Sequence, residues 1–178
     1  MRFTFIPNNS LNVYPKDEET KFIFEPYLRS APYDAVRPDQ LFVSIALAVG
    51  ALEGITIEPD RVYSAFITGA EIWWDSYSDI KDLIITLESE ELNIRHFEAL
   101  ARSNALSVYP EYKPHITLAF DIPNSNSRNR WWTNQIIQDF NTTHKGKLIR
   151  LSGEQLNSTS GIIEQLQDGS VVIDQPTL

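Results

Sequence analysis

Short runs in which apolar and polar residues alternate recur along this chain, and a period of two marks strands with one buried face. Residues 2–6 (RFTFI), 41–47 (LFVSIAL), 61–74 (RVYSAFITGAEIWW), 82–87 (DLIITL), 115–120 (HITLAF) and 148–151 carry it. The longest run has Gly69 near its middle, where a bulge or bend is expected. Residues 161–174 predict a hairpin turning at Asp168-Gly169. Only two segments have a helical pattern. Ser89 is a suitable N-cap for residues 89–104, with Glu90 and Glu91 in the first turn and Ile94, Phe97, Leu100 and Ala101 as one apolar stripe. The other helix covers residues 132–141, where Trp132, Ile136 and Phe140 are spaced four apart. Helices mixed with strands, without regular alternation, predict an α+β fold. Residues 7–20 and 123–130 (PNSNSRNR) read as loose, loop-forming stretches. No repeat or linker divides the chain, so one domain over residues 1–178 is expected.

Composition excludes several classes of function. The chain carries 15 Lys and Arg against 24 Asp and Glu, a formal charge of −9. Long nucleic acid is bound chiefly by Lys and Arg on phosphates, so it is not the expected partner. A small anionic ligand stays compatible, because one pocket can be positive on an acidic protein. No run of about 18 apolar residues is present, so no membrane span is expected. Residues 1–7 have neither the basic nor the apolar region of a signal peptide, which predicts a cytoplasmic protein. With no cysteine there is no disulfide, no zinc–thiolate site and no thiol nucleophile. The sequence has no Gly-rich phosphate loop and no metal-ligand spacing, so no cofactor and no metal are expected.

The most informative stretch is EYKPHITLAFD, residues 111–121. In a strand, His115 and Thr117 project from one face while Ile116 and Leu118 project from the other. An imidazole beside a hydroxyl suits phosphoryl chemistry: the hydroxyl holds a phosphate oxygen and the imidazole moves a proton near neutral pH. The motif alone is short, and three His with many Thr and Ser make chance examples common.

Its surroundings add specificity. Residues 83–121 (LIITLESEELNIRHFEALARSNALSVYPEYKPHITLAFD) resemble the second half of the 2H phosphoesterases, and more narrowly the phage anti-CBASS protein 1 group, which degrades cyclic oligonucleotide immune signals. The resemblance rests on a strand ending in Leu-Glu-Ser, a helix carrying Leu92 and Arg95-His96, and the run Tyr112-Lys113-Pro114-His115-Ile116-Thr117-Leu118. Upstream, Ile67-Thr68-Gly69-Ala70-Glu71-Ile72-Trp73 is similar to a Thr-Gly-x-Glu-aromatic strand of that group. The likeness spans about residues 41–121 and reaches toward Glu154.

What the resemblance implies is a bilobal α+β fold, two antiparallel-sheet lobes with helices outside and a central cleft. Each lobe supplies one His-x-Thr or His-x-Ser strand; one histidine serves as base, the other as acid, and no metal takes part. The first motif falls in residues 41–47, where Phe42 stands at the histidine position and Ser44 at the hydroxyl position. A phenyl ring transfers no proton, so one acid–base role is vacant. A positioned acid or base contributes about 10²–10⁴-fold in rate. Turnover is therefore expected to be lost or impaired unless Tyr63, Tyr77, Lys113 or His144 substitutes. Ser44, His115 and Thr117 still suit a phosphate, and Phe42 suits stacking on a base.

The same resemblance nominates Trp74, Tyr112, Lys113 and Glu154 as ligand contacts, the last because an acidic residue in a late strand approaches a nucleobase. The aromatic lid that the group carries near its C-terminus has no counterpart here, since Phe140 is the only aromatic after Trp132. His96 reads as a helix-surface residue with a carboxylate or carbonyl partner, and His144 as an exposed loop residue. Asp17, Glu18 and Glu19 read as a solvated cluster. Three functions stay open: a binder of a cyclic di- or trinucleotide acting in the host cytoplasm if phage-encoded; an active phosphodiesterase with another acid; and a virion or complex component that meets a protein partner through the Trp131 region.

Overall fold

The computed structural model describes the chain apart from residues 1, 37, 39, 50, 51, 53, 75–78, 104, 109, 110, 166–170 and 175–178, with backbone alone for residues 2–8, 158–165 and 171–174. Its elements run β1 (Arg2–Pro15), α1 (Glu18–Ser30), β2 (Val43–Val49), β3 (Tyr63–Trp74), β4 (Ile80–Glu88), α2 (Glu90–Ser103), β5 (Leu106–Ser107), β6 (His115–Pro123), α3 (Ser127–Asp139), β7 (Leu148–Gln165) and β8 (Val171–Asp174). A π-helical turn, Phe140–His144, continues α3. Among the described residues every strand pairing is antiparallel, in the order β5-β2-β1-β7-β3-β4-β6, with β8 joined to the end of β7. This is the expected α+β class.

The two sheet halves share β7. Its first residues, Leu148 to Leu151, pair with β3, and from Leu151 onward it pairs with β1. β2 and β6 belong to different halves and are far apart in strand order, yet they come into contact. That contact is what brings the two halves of the site together. Behind it, Val43 and Ile45 of β2, Leu83 and Ile85 of β4, and Ile116 and Leu118 of β6 are fully buried. Each such side chain contributes roughly 1.5–3 kcal/mol on burial.

Several local expectations are met. Ser89 caps α2, its Oγ accepting the Leu92 N–H at 3.2 Å. β3 slips register on β4 between Ile67 and Gly69. There Asn141 of the π-helical turn accepts the Ala70 N–H at 3.1 Å, and its Oδ1 fills the place a Cβ on residue 69 would need. Only glycine leaves that space. β7 pairs with β8 from Ile162–Asp174 to Gln165–Val171, while the turn at Asp168-Gly169 lies outside the described residues.

Other expectations are corrected. Residues 7–20 are not loose: β1 continues to Pro15, and Asp17 opens a thirteen-residue helix. The Asp17 carboxylate accepts both the Thr20 N–H and the Thr20 hydroxyl at 2.8 Å, a helix N-cap that a solvated cluster does not make. Burial works against its ionisation, but these bonds from Thr20 hold its carboxyl below the usual range. Residues 127–130 belong to α3, which Asn126 caps by accepting the Arg128 N–H at 3.0 Å.

The face of α2 is the other correction. Ile94 and Phe97 of the apolar stripe are 48% and 68% exposed, while Leu92, Arg95, His96 and Ala99 are turned inward. Polar partners outweigh the stripe: Arg95 is drawn to a buried carboxylate on β7, and His96 to a carbonyl on β2. His96 is therefore a buried residue with a carbonyl partner, not a surface one. His144 is half-buried too, bonded through Nε2 to the Tyr27 hydroxyl at 2.8 Å.

Candidate functional site

β6 presents its residues as period-two alternation requires. Ile116 and Leu118 enter the core, and His115 and Thr117 lie on the opposite face. β2 does the same, with Val43 and Ile45 inward and Ser44 outward, preceded by half-buried Phe42. Because β2 and β6 meet, Phe42, Ser44, His115, Thr117 and Phe120 line one slot. It encloses about 20 Å³, room for one water or one phosphate oxygen and too little for a nucleobase.

The imidazole of His115 is held on two sides. Its Nδ1 lies 2.7 Å from the Lys113 carbonyl, which can only accept, so Nδ1 carries a proton. In the neutral ring, Nε2 is then the proton acceptor. The Trp73 indole packs against it with ring centres 4.5 Å apart, and the Trp73 Nε1–H donates to Glu71 at 2.6 Å. Burial pushes the His115 pKa below the ordinary histidine value, against the opposing pull of the Lys113 carbonyl and Glu71. At neutral pH this ring is a base, not an acid.

Ser44 is committed elsewhere. Its hydroxyl donates to Asn12 Oδ1 at 3.0 Å. Its single proton is therefore unavailable to a phosphate until the side chain rotates. Asn12 is directly opposite Ser44 in the β1–β2 ladder, and Tyr14, two residues on, packs on Phe42 with ring centres 6.3 Å apart. Sequence reasoning nominates neither β1 residue. The signal is present, since Asn12 and Tyr14 alternate with buried Leu11 and Val13.

Four nominated residues gather at the slot and four lie apart from its lining. Tyr112 is stacked on His96, ring centres 4.1 Å apart and planes within 4°, and burial pushes its phenol upward. Lys113 is exposed and paired with Glu111 at 3.5 Å. Trp74 is 57% exposed, with its ring 5.7 Å from the Lys81 ammonium, which in turn donates to Thr133 of α3. It is Trp73 that touches His115.

Glu154 is 2% exposed and fully engaged. It accepts from Arg95 Nε and Nη2 at 2.8 Å each, from the Glu58 N–H at 2.7 Å, and from the Tyr63 hydroxyl. Burial opposes its charge, but Arg95, Tyr63 and the Glu58 N–H hold the carboxyl below the usual range. The possible substitutes for the missing acid fare no better. Tyr63 is bound to Glu154, Lys113 to Glu111 and His144 to Tyr27, while Tyr77 lies outside the described residues.

No curated protein matches the chain. Among solved structures, Kluyveromyces marxianus Usb1 with uridine monophosphate is similar at 10% identity and a TM-score of 0.49, over 94% of this chain and 97% of that one. The family model described as "Anti-CBASS protein Acb1" matches residues 30–143, a stretch that holds Phe42, Ser44, His115 and Thr117. That match covers well over half of the sequence, and the chain belongs to the Anti-CBASS protein Acb1 family.

Proposed function

We propose that this protein recognises the phosphodiester of a cyclic oligonucleotide immune signal and holds it with hydrolysis lost or strongly impaired. Membership of the Anti-CBASS family supports a phage role against that response, exercised in the host cytoplasm. The observation that carries the binding reading is the composition of the slot. Thr117, and Ser44 once it turns from Asn12, supply hydroxyls for phosphate oxygens, His115 supplies Nε2 to accept a proton from the ligand, and Phe42 stands where the family resemblance puts a second histidine. General acid–base hydrolysis needs one group to take a proton and another to return one. His115 supplies the first alone.

The slot is too small for a base, so the bases of the ligand lie outside it. Phe42 at its edge offers a stacking surface, an interaction of about 1–3 kcal/mol per base. The test incubates the purified protein with a panel of cyclic di- and trinucleotides, removes free nucleotide by filtration, and chromatographs what heating releases. Intact nucleotide supports the reading. A linear product replaces it with an active phosphodiesterase, whose rate should then follow the ionisation of His115.

A second reading draws on the surface of α3, where Trp131 is 63% exposed. If no nucleotide is held or cut, the fold serves as a protein-interaction module, and His115→Ala should leave its role intact.

A further inference from the structure

His96 is a buried titratable group that plays no part in the slot's own chemistry. It is 5% exposed, on the inward face of α2. Its Nδ1 is 2.7 Å from the Ile45 carbonyl, so that nitrogen carries a proton and donates it. Its ring lies flat on Tyr112. Ile45 directly follows Ser44, and Tyr112 directly precedes Lys113. The Lys113 carbonyl, in turn, receives the Nδ1–H of His115.

We propose that His96 is the positioning residue of the slot, fixing the β2 wall through Ile45 and the backbone that orients His115 through Tyr112. The inference rests on reading the slot as a phosphate site, for which the orientation of His115 matters. Two contacts from one imidazole reach β2 in one half of the sheet and the segment that leads into β6 in the other. The ring itself has a fixed platform: the neighbouring Arg95 is bonded to Glu154 and to the Thr56 carbonyl, and Ser89 caps the same helix. Backbone placed this way sets which nitrogen of His115 is protonated, and therefore which one can accept a proton from a ligand.

A histidine that only fills the core would affect stability and leave the tautomer of His115 alone. That difference is measurable in the full-length protein without nucleotide. Imidazole nitrogen–proton correlation spectra would be recorded across pH for the wild type, His96→Asn, Tyr112→Phe and Tyr112→Leu. Asn keeps a donor for Ile45 but has no ring for Tyr112; Phe keeps the ring of residue 112, and Leu removes it.

The wild type and Tyr112→Phe should show His115 protonated at Nδ1 when neutral. His96→Asn and Tyr112→Leu should lose that fixed tautomer, with the His115 midpoint falling further below the ordinary histidine range as the Lys113 carbonyl no longer favours the charged ring. Glu71 and Trp73, which also face His115, are unchanged in all four proteins and act equally on each midpoint. Native signals from Ile116 and Leu118 establish that a variant is folded. If His96→Asn does not fold, Tyr112→Leu decides, since it leaves the His96–Ile45 bond in place. An unchanged tautomer and midpoint in a folded variant overturn the proposal. A changed tautomer in a protein that retains no nucleotide keeps the positioning role and removes the phosphate reading.

Discussion

Phe42, just before β2, and His115, the first residue of β6, line the same slot although 73 positions separate them (115 − 42). Beside each is a hydroxyl residue on the same strand face, Ser44 and Thr117. The slot thus repeats one pattern from each half of the sheet and breaks it at a single side chain. On that asymmetry rests our proposal of recognition without efficient turnover.

The hydroxyl of Ser44 couples the slot to β1. Ser44→Ala leaves Asn12 Oδ1 buried without its donor, which should cost about 1–3 kcal/mol. In a double-mutant cycle with Asn12→Ala, the two losses should be clearly less than additive. Chemical denaturation of the four proteins measures this. Additive losses would mean that the bond contributes nothing.

Glu154 is predicted to be structural. Glu154→Gln leaves the Arg95 guanidinium buried without a full counter-charge, a change worth roughly 3–5 kcal/mol. For a chain of this size that lowers the melting temperature by about 2–4 °C per kcal/mol. Arg95→Met combined with Glu154→Leu should recover part of the loss. A Glu154→Gln protein that melts like the wild type but no longer retains nucleotide would return this residue to the ligand.

Acid sensitivity follows from the histidines. Burial lowers the pKa of His96, His115 and His144 alike. The unfolded chain therefore binds protons that the folded one resists, and stability rises with pH across that window. It should be fully present above the unfolded histidine value of about 6.5 and decline as pH falls below it. Glu154 and Asp17, whose values are lowered, add a separate loss at more acidic pH, below the ordinary carboxylate range. Unfolding free energies measured from about pH 8 down to about pH 2 test both windows; a flat profile between about pH 7 and pH 5 contradicts the first.

The outward face of α2 has a simple consequence. Phe97→Glu should change stability by no more than about 0.5 kcal/mol, as surface substitutions do. Leu92→Ala, at a fully buried position, should cost about 2–5 kcal/mol. Thermal melts of the two variants separate them, and the reverse order would place the apolar stripe back in the core.

What could be read from the sequence was local. The alternation through His115 and Thr117, the Ser89 cap, the bulge at Gly69 and the frame placing Phe42 and Ser44 on one face each depend on a few neighbouring residues. α1 escaped because Pro26 interrupts it and Phe22 points outward, which blurs its period. The face of α2 was decided by residues far away in the chain: Glu154 is 59 positions from Arg95, and Ile45 is 51 from His96. Local hydrophobic pattern has no access to such partners, and two buried polar side chains overrode it. The same distance explains why Trp73 rather than Trp74 meets His115: two adjacent aromatics look alike until the strand's facing is known.

The most direct test of the account restores the missing group. Phe42→His and the wild type would be given the same cyclic oligonucleotide panel, and linear product would be followed over time. The account predicts little or no product from the wild type and at least about a 10²-fold gain from Phe42→His, the contribution of one positioned acid or base. A folded Phe42→His protein with no gain, or a wild type that already cuts as fast, would contradict it.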